Sequence, residues 1–181
     1  QQLDYTWLRA LIGRHADFWT VTGQALDFTL ARLEIEDPAL RVRLMETWLT
    51  PPADPLAAPM LARLGAAGCR LGVLSNGSGS MLTSAFSASG LARAFDAVIS
   101  VEQAGIFKPH PSVYRLATDR FGVEPRSIAF VSANGWDVAG AAAFGFEAIW
   151  LDREGAPPEN LPAGPSARIT SLSDLPALLG A

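Results

Sequence analysis

Apolar positions keep a helical rhythm through the first fifty residues and change period after that. Tyr5, Leu8, Leu11 and Ile12 recur at helical spacing, as do Phe18, Val21, Ala25, Phe28 and Leu33 across a second segment. A third helix fits PALRVRLMETWL, with Asp37 as its cap and Pro38 in its first turn. The run TPPADPLAAP (50–59) then places four prolines in ten residues, a stiff connector that divides the chain into a helical unit, 1–54, and a larger unit, 55–181.

In the larger unit helices and strands alternate. MLARLGAAG, GSMLTSAFSASG, HPSVYRLATDRFG, DVAGAAAFGF and SDLPALLG read as helices; CRLGVLSN, FDAVIS, SIAFVSANGWD and EAIWLD read as strands. Strands written as continuous apolar runs between helices indicate an α/β fold, a Rossmann-like parallel sheet covered on both faces. No repeat at a solenoid period is visible.

Composition narrows the function classes. Of the 181 residues, 49% are hydrophobic and 18% charged, which excludes disorder. The net charge is −4 and no basic run occurs, so nucleic acid is not an expected partner. No apolar run reaches membrane-spanning length. Cys69 is the sole cysteine; it opens an apolar run, reads as a buried structural thiol, and suits a reducing, cytoplasmic compartment. Lysine is rarer still than its total suggests: of 14 basic residues 13 are arginine, and Lys108, in IFKPHPSVY, is the one lysine. A compact point charge serves where a planar guanidinium does not fit, although a compositional bias could also leave one stray lysine.

Three strand ends are unusually polar, and ligands of parallel sheets bind at the carboxyl ends of strands. The first gives Ser75, Asn76, Gly77 and Ser78; the second leads into the Lys108 loop; the third gives Ser132, Asn134, Trp136 and Asp137. Any one of these could be a turn or a helix cap. Their convergence around one lysine and one carboxylate favours a site. SNGSGS lacks the lysine of a Walker loop and the spacing of a dinucleotide fingerprint. His15 and His110 have no partner at metal-binding spacing and read as surface or loop residues.

VLSNGS (73–78), KPHPSVY (108–114) and FVSANGWD (130–137), in this order, resemble the haloacid dehalogenase superfamily, and its L-2-haloacid dehalogenase branch in particular. LDYTWLRALIGRHADFW is similar to that branch's helical cap domain, and FGFEAIWLDREG to its closing strand. Phosphatases of the superfamily end the third strand in G-D-x-x-x-D, whose acids hold magnesium; here Ala133 stands at the first acid. A magnesium site would lose a charged ligand, and phosphoryl transfer depends on such a cation. The resemblance therefore implies hydrolysis of (S)-2-haloalkanoates to (R)-2-hydroxy acids through an aspartyl ester, with neither metal nor cofactor.

The resemblance also implies roles. Lys108 keeps the nucleophile ionised; Ser75 binds the substrate carboxylate and Asn76 belongs to the halide cradle. Ser132 and Asn134 hydrogen-bond the nucleophile and stabilise the oxyanion. Asp137 holds Lys108 or activates water, and Tyr114 positions the lysine or the ester. Leu3, Phe18 and Trp136 form the apolar wall beside the substrate alkyl group. For Leu3 and Phe18 core packing is the stronger reading without the resemblance, for Tyr114 it falls just short of the functional one, and Asp137 as a bare helix cap would look the same. Nothing matches the family's D-x-Y-G-T element, the first and central core strand with its nucleophile, and Asp4 lies on a helix and cannot replace it. That strand is expected upstream of Gln1. A homodimer is implied by the resemblance alone. Two other readings stay open: a magnesium-dependent phosphatase, and a non-catalytic protein that kept the fold without the nucleophile.

Overall fold

Aspartates begin the first two long helices after the N-terminal one. The computed structural model, which describes residues 1–181, places α1 at Gln2–Leu11, α2 at Phe18–Arg32 and α3 at Pro38–Glu46. Asp17 accepts the Thr20 N–H at 2.9 Å and Asp37 the Leu40 N–H at 2.8 Å, each satisfying a donor that the first turn leaves free. α4 spans Ala57–Ala66, three residues earlier than MLARLGAAG predicts. Pro59 is accommodated there because the first turn makes no use of its missing N–H.

The alternating unit follows as β1 (Gly72–Ser75), α5 (Gly79–Ser89), β2 (Ala97–Ser100), α6 (Pro111–Phe121), β3 (Ala129–Ser132), α7 (Gly135–Phe144), β4 (Glu147–Leu151), β5 (Ala167–Ile169) and α8 (Leu175–Leu178). α5, α6 and α7 each end on a glycine in the left-handed region, Gly90, Gly122 and Gly145. The four expected strands are present. β5 is an addition: three residues whose ladder needs the tertiary partner β4 have no periodicity of their own to betray them.

All strand pairs are parallel, yet the sheet comes in two pieces. β1 pairs with β2, with Ser75 opposite Ser100; β3 pairs with β4 and β4 with β5, with Ser132 opposite Trp150. β1 and β3 face each other across a cleft of about 650 Å³, lined by Gly72, Val73 and Leu74 on one side and Ala129, Phe130 and Val131 on the other. Burial confirms the arrangement: β4 is buried from Ala148 to Leu151, whereas β1 and β3 have no fully buried residue. Each of these inner strands thus presents one ladder edge to the cleft.

The core forms three clusters. Tyr114, Val138, Ala141, Phe146 and Trp150 pack together between α6, α7 and β4. Leu64, Ile149, Leu151, Ile169 and Leu175 fill the opposite face of the sheet. Phe18 and Val21 of α2 pack with Met81, Val101, Phe107 and Val113, so the N-terminal helices share a core with the α/β unit. Cys69 is half-buried beside the second of these clusters.

One expected apolar stripe faces outward. Leu8, Leu11 and Ile12 are exposed, and α1 instead turns Gln2, Thr6 and Arg9 to α2, where Gln2 and Arg9 donate to Thr22 and Gln24. Thr6 is fully buried because its hydroxyl bonds to the Leu3 carbonyl at 2.7 Å. A satisfied threonine packs as tightly as an apolar residue.

Candidate active site

The lysine loop is anchored on both sides of the lysine. Phe107, 1% exposed, is seated among Phe18, Val21 and Val113, and α6 begins three residues on with Pro111 in its first turn. The Lys108 backbone N–H donates to Asn76 Oδ1 at 3.1 Å, which ties the loop to the end of β1. With its neighbours fixed, Lys108 turns its side chain inward to the cleft.

There the ammonium meets Asp137. Lys108 Nζ lies 2.9 Å from Asp137 Oδ2, and both side chains are 6% exposed. Asp137 is also the acceptor for two hydroxyls: Ser132 Oγ donates to Oδ2 at 3.2 Å and Tyr114 Oη to Oδ1 at 2.8 Å. Every oxygen of this buried carboxylate is therefore engaged, as an ionised group out of water requires. The ring of Phe130 lies 4.9 Å below Nζ, in range of a cation–π contact. One of the ammonium's three donors goes to Asp137; the other two have no protein acceptor, and the side chain borders the cleft.

Burial pulls the Lys108 pKa below its ordinary value because it disfavours the charged form, and Asp137 opposes that pull through charge and hydrogen bonding. Burial, followed by the neighbouring Asp137 charge, pushes the Tyr114 phenol up, so it stays a neutral donor.

The expected residues divide clearly. Lys108, Asp137, Tyr114 and Ser132 form one connected network, with Asn76 joined through the lysine backbone. Ser75 Oγ accepts the Gly77 N–H at 3.1 Å and Ser132 Oγ the Asn134 N–H at 3.2 Å, both local turn contacts. The Asn134 side chain is exposed and caps no N–H of α7. Trp136 packs edge-on against Trp7 of α1, centroids 5.7 Å apart. Leu3 is half-buried on α1. Phe18 is core, 6.0 Å from Phe107, in line with the packing reading. His15 is exposed and leans on Phe107, and His110 accepts the Ser112 N–H at the start of α6, so neither belongs to the network.

Two contributors escape a reading of the sequence. Phe130 looks like any apolar strand residue; only the pleat shows which face its ring covers. Gly140 sits in a small-residue helix, and a Cβ there would collide with Tyr114 Oη and lie 2.6 Å from Pro109 Cβ. Its neighbours in AGAAAF hint at close approach but do not say to what.

A divalent cation does not fit these donors. Ala133 presents a methyl group and Asp137 is fully occupied, so the end of β3 offers no free carboxylate for a metal that prefers several oxygens.

Residues 4–145 match the family model for haloacid dehalogenase-like hydrolases. The chain is 43% identical over 180 residues to (S)-2-haloacid dehalogenase 1 of Pseudomonas sp. (strain CBS-3), covering 99% of this chain and 79% of that protein. The crystal structure of a dehalogenase superimposes with a TM-score of 0.96 at 42% identity, over 99% of this chain and 80% of that one. The L-2-haloacid dehalogenase of Xanthobacter autotrophicus with chloropropionic acid covalently bound gives 0.90 at 37% identity, over 99% and 82%.

Proposed function

This chain belongs to the haloacid dehalogenase-like hydrolases, and on that footing we propose that it is an (S)-2-haloacid dehalogenase, converting short (S)-2-haloalkanoates to (R)-2-hydroxy acids and halide. The observation that carries the reading is the orientation of Lys108: a buried ammonium, one donor on Asp137 and two free, bordering the cleft between β1 and β3.

That cleft has the form of a strand site. Two parallel edges face it, its walls are largely apolar, and Lys108 and Asp137 stand among its lining residues. A parallel strand seated there would complete both ladders, and a carboxylate at its C-terminal end would take the free lysine donors. We assign the nucleophile to such a strand, one that residues 1–181 do not supply. The carboxylate attacks C2 from the side opposite the halogen, the carbon–halogen bond breaks, and halide leaves with its electron pair. Water then adds to the ester carbonyl; one of its protons goes to the departing alkoxide, which leaves as the hydroxy acid, and the other goes to solvent, which regenerates the carboxylate.

In this mechanism Lys108 holds the nucleophile ionised, since an opposite charge within about 4–6 Å lowers a carboxylate pKa by roughly 1–3 units. Asp137 holds Lys108, while Ser132 and Tyr114 hold Asp137. With its oxygens engaged, Asp137 serves as the anchor of the lysine and not as the base. Ser75 and its neighbouring amides bind the substrate carboxylate, Asn76 the halide, Asn134 the ester oxyanion; Leu3 and Trp136 wall the alkyl group, while Phe18 packs in the core. α1–α3 make up the cap, residues 1–54.

A homodimer belongs to the same reading, because Leu8, Leu11 and Ile12 of α1 and Leu33 at the end of α2 form exposed apolar surface that a second copy would cover. A cytoplasmic setting accords with a single unpaired cysteine. No helix is long and apolar enough to cross a membrane.

A single turnover in ¹⁸O-water, run on the chain joined to its nucleophile strand, tests the ester. The label should appear in the protein carboxylate and not in the first hydroxy acid released; label in that product would mean direct attack by water.

A further inference from the structure

Trp136 is held by contact alone. Its indole N–H is buried and finds no acceptor among protein groups, and the same is true of Trp7. Trp150 is the contrast: its N–H donates to the Ala133 carbonyl at 3.3 Å, which fixes that ring whatever packs around it. Trp7 and Trp136 instead meet at 5.7 Å between centroids and 81° between planes, the edge-to-face geometry that aromatic quadrupoles favour. With no hydrogen bond to orient it, the Trp136 ring is placed by packing, and Trp7 is the aromatic ring it packs against.

The two rings come from different parts of the fold. Trp7 lies on α1, four residues and one helical turn after Leu3, on a side other than the one where Gln2 and Arg9 meet α2. Trp136 is the second residue of α7, directly before Asp137. The pair therefore bridges the N-terminal helices and the strand end that carries the lysine anchor.

We propose that Trp7 is a positioning residue that sets the length of alkyl chain the site accepts, by backing Trp136 as the wall of the substrate pocket. This rests on the dehalogenase reading given above. Removing the Trp7 ring opens space behind Trp136, the ring retreats into it, and the pocket lengthens. A single methylene is discriminated by about 10–200-fold in a well-packed apolar pocket, so a modest retreat has a measurable effect.

The test compares Trp7→Ala, Trp7→Leu and Trp7→Phe with the wild type, all carrying the nucleophile strand. The readout is kcat/KM for (S)-2-chlorohexanoate divided by that for (S)-2-chloropropionate. Trp7→Ala should raise this ratio about tenfold, and Trp7→Phe, which keeps an aromatic edge, should restore most of the wild-type value. Trp7→Leu provides the measurement if the alanine variant does not fold. A folded, active variant with an unchanged ratio overturns the proposal, as does a phenylalanine variant that behaves like alanine. Hydrogen exchange of the Trp136 indole N–H, followed by ¹⁵N NMR, supplies a readout independent of turnover: protected in wild type, exchanging in Trp7→Ala. If the wild type releases no halide, the dehalogenase reading fails, while the exchange experiment still decides whether Trp7 holds Trp136. Equal protection in both proteins would refute that hold.

Discussion

Lys108 Nζ and Asp137 Oδ2 lie 2.9 Å apart with almost no solvent at either side chain. Bringing both charges out of water is unfavourable by several kcal/mol per ion unless the geometry and the additional hydrogen bonds compensate. Here Ser132 and Tyr114 complete the carboxylate, and Phe130 lies beneath the ammonium. The pair is weak evidence for stability and stronger evidence for function, since an apolar pair of similar volume would pack as well or better. What an apolar pair could not provide is a buried cation with two donors to spare.

Breaking the pair from one side should be severe. Asp137→Ala leaves the ammonium without its partner and is expected to destabilise the chain by about 3–5 kcal/mol, read as a lower urea midpoint. Lys108→Arg keeps the charge but brings a planar fork into a site built for a point; it should fold and lose most halide-releasing activity. Wild-type rates in that variant would contradict the role given to Lys108.

Since Lys108 is the only lysine, ¹³Cε-lysine labelling gives one NMR signal and a direct titration. It should titrate below 10.5, and in Asp137→Asn lower still, because burial then acts unopposed. The sign for stability follows. Between the lowered folded pKa and 10.5 the unfolded chain binds more protons than the folded one, so the Lys108 contribution becomes more favourable as pH rises through that window. Tyr114, shifted the other way, adds stability that is present below its unfolded value of 10.0 and is lost as pH rises through its raised folded pKa.

Tyr114→Phe keeps the buried ring and removes only its hydroxyl, which donates to Asp137 Oδ1 at 2.8 Å and more weakly to the Asp137 carbonyl at 3.2 Å. The expected loss is about 1.5–3 kcal/mol, the range for a hydrogen bond to a charged group. A thermal or urea melt checks it; a change under 0.5 kcal/mol would mean that a water replaces the hydroxyl at no cost.

Gly140→Ala and Gly135→Ala form a matched pair on one helix. At Gly140 the new methyl would collide with the Tyr114 hydroxyl and with Pro109, and overpacking of this kind costs about 1–3 kcal/mol, more than the roughly 1 kcal/mol alanine gains in a helix. At Gly135 the nearest obstacle is the exposed, flexible end of Glu159, which can move aside. The first variant should melt lower than wild type and the second close to it.

Much of this was readable from residue order, for definite reasons. Asp37-Pro38, Gly90 and Gly122 mark helix ends through local chemistry, and apolar runs such as AVIS and AIWL can hardly be other than buried strands. Lys108 stood out because arginine takes every other basic position. The outward face of Leu8, Leu11 and Ile12 was not readable, since a helical stripe states a period and not which neighbour it meets. Nor was the Trp7–Trp136 contact, which joins residues 129 positions apart through packing alone. The cleft between β1 and β3 is where the resemblance puts its missing central strand, although four similar apolar runs by themselves leave strand order undetermined.

Chloride release from (S)-2-chloropropionate, with and without EDTA, by the chain joined to its nucleophile strand tests the central claim most directly. A site whose cation is Lys108 should release chloride at the same rate in both and yield (R)-lactate. Activity lost in EDTA and recovered with magnesium would show that the working charge is a metal ion and that Lys108 has been misread.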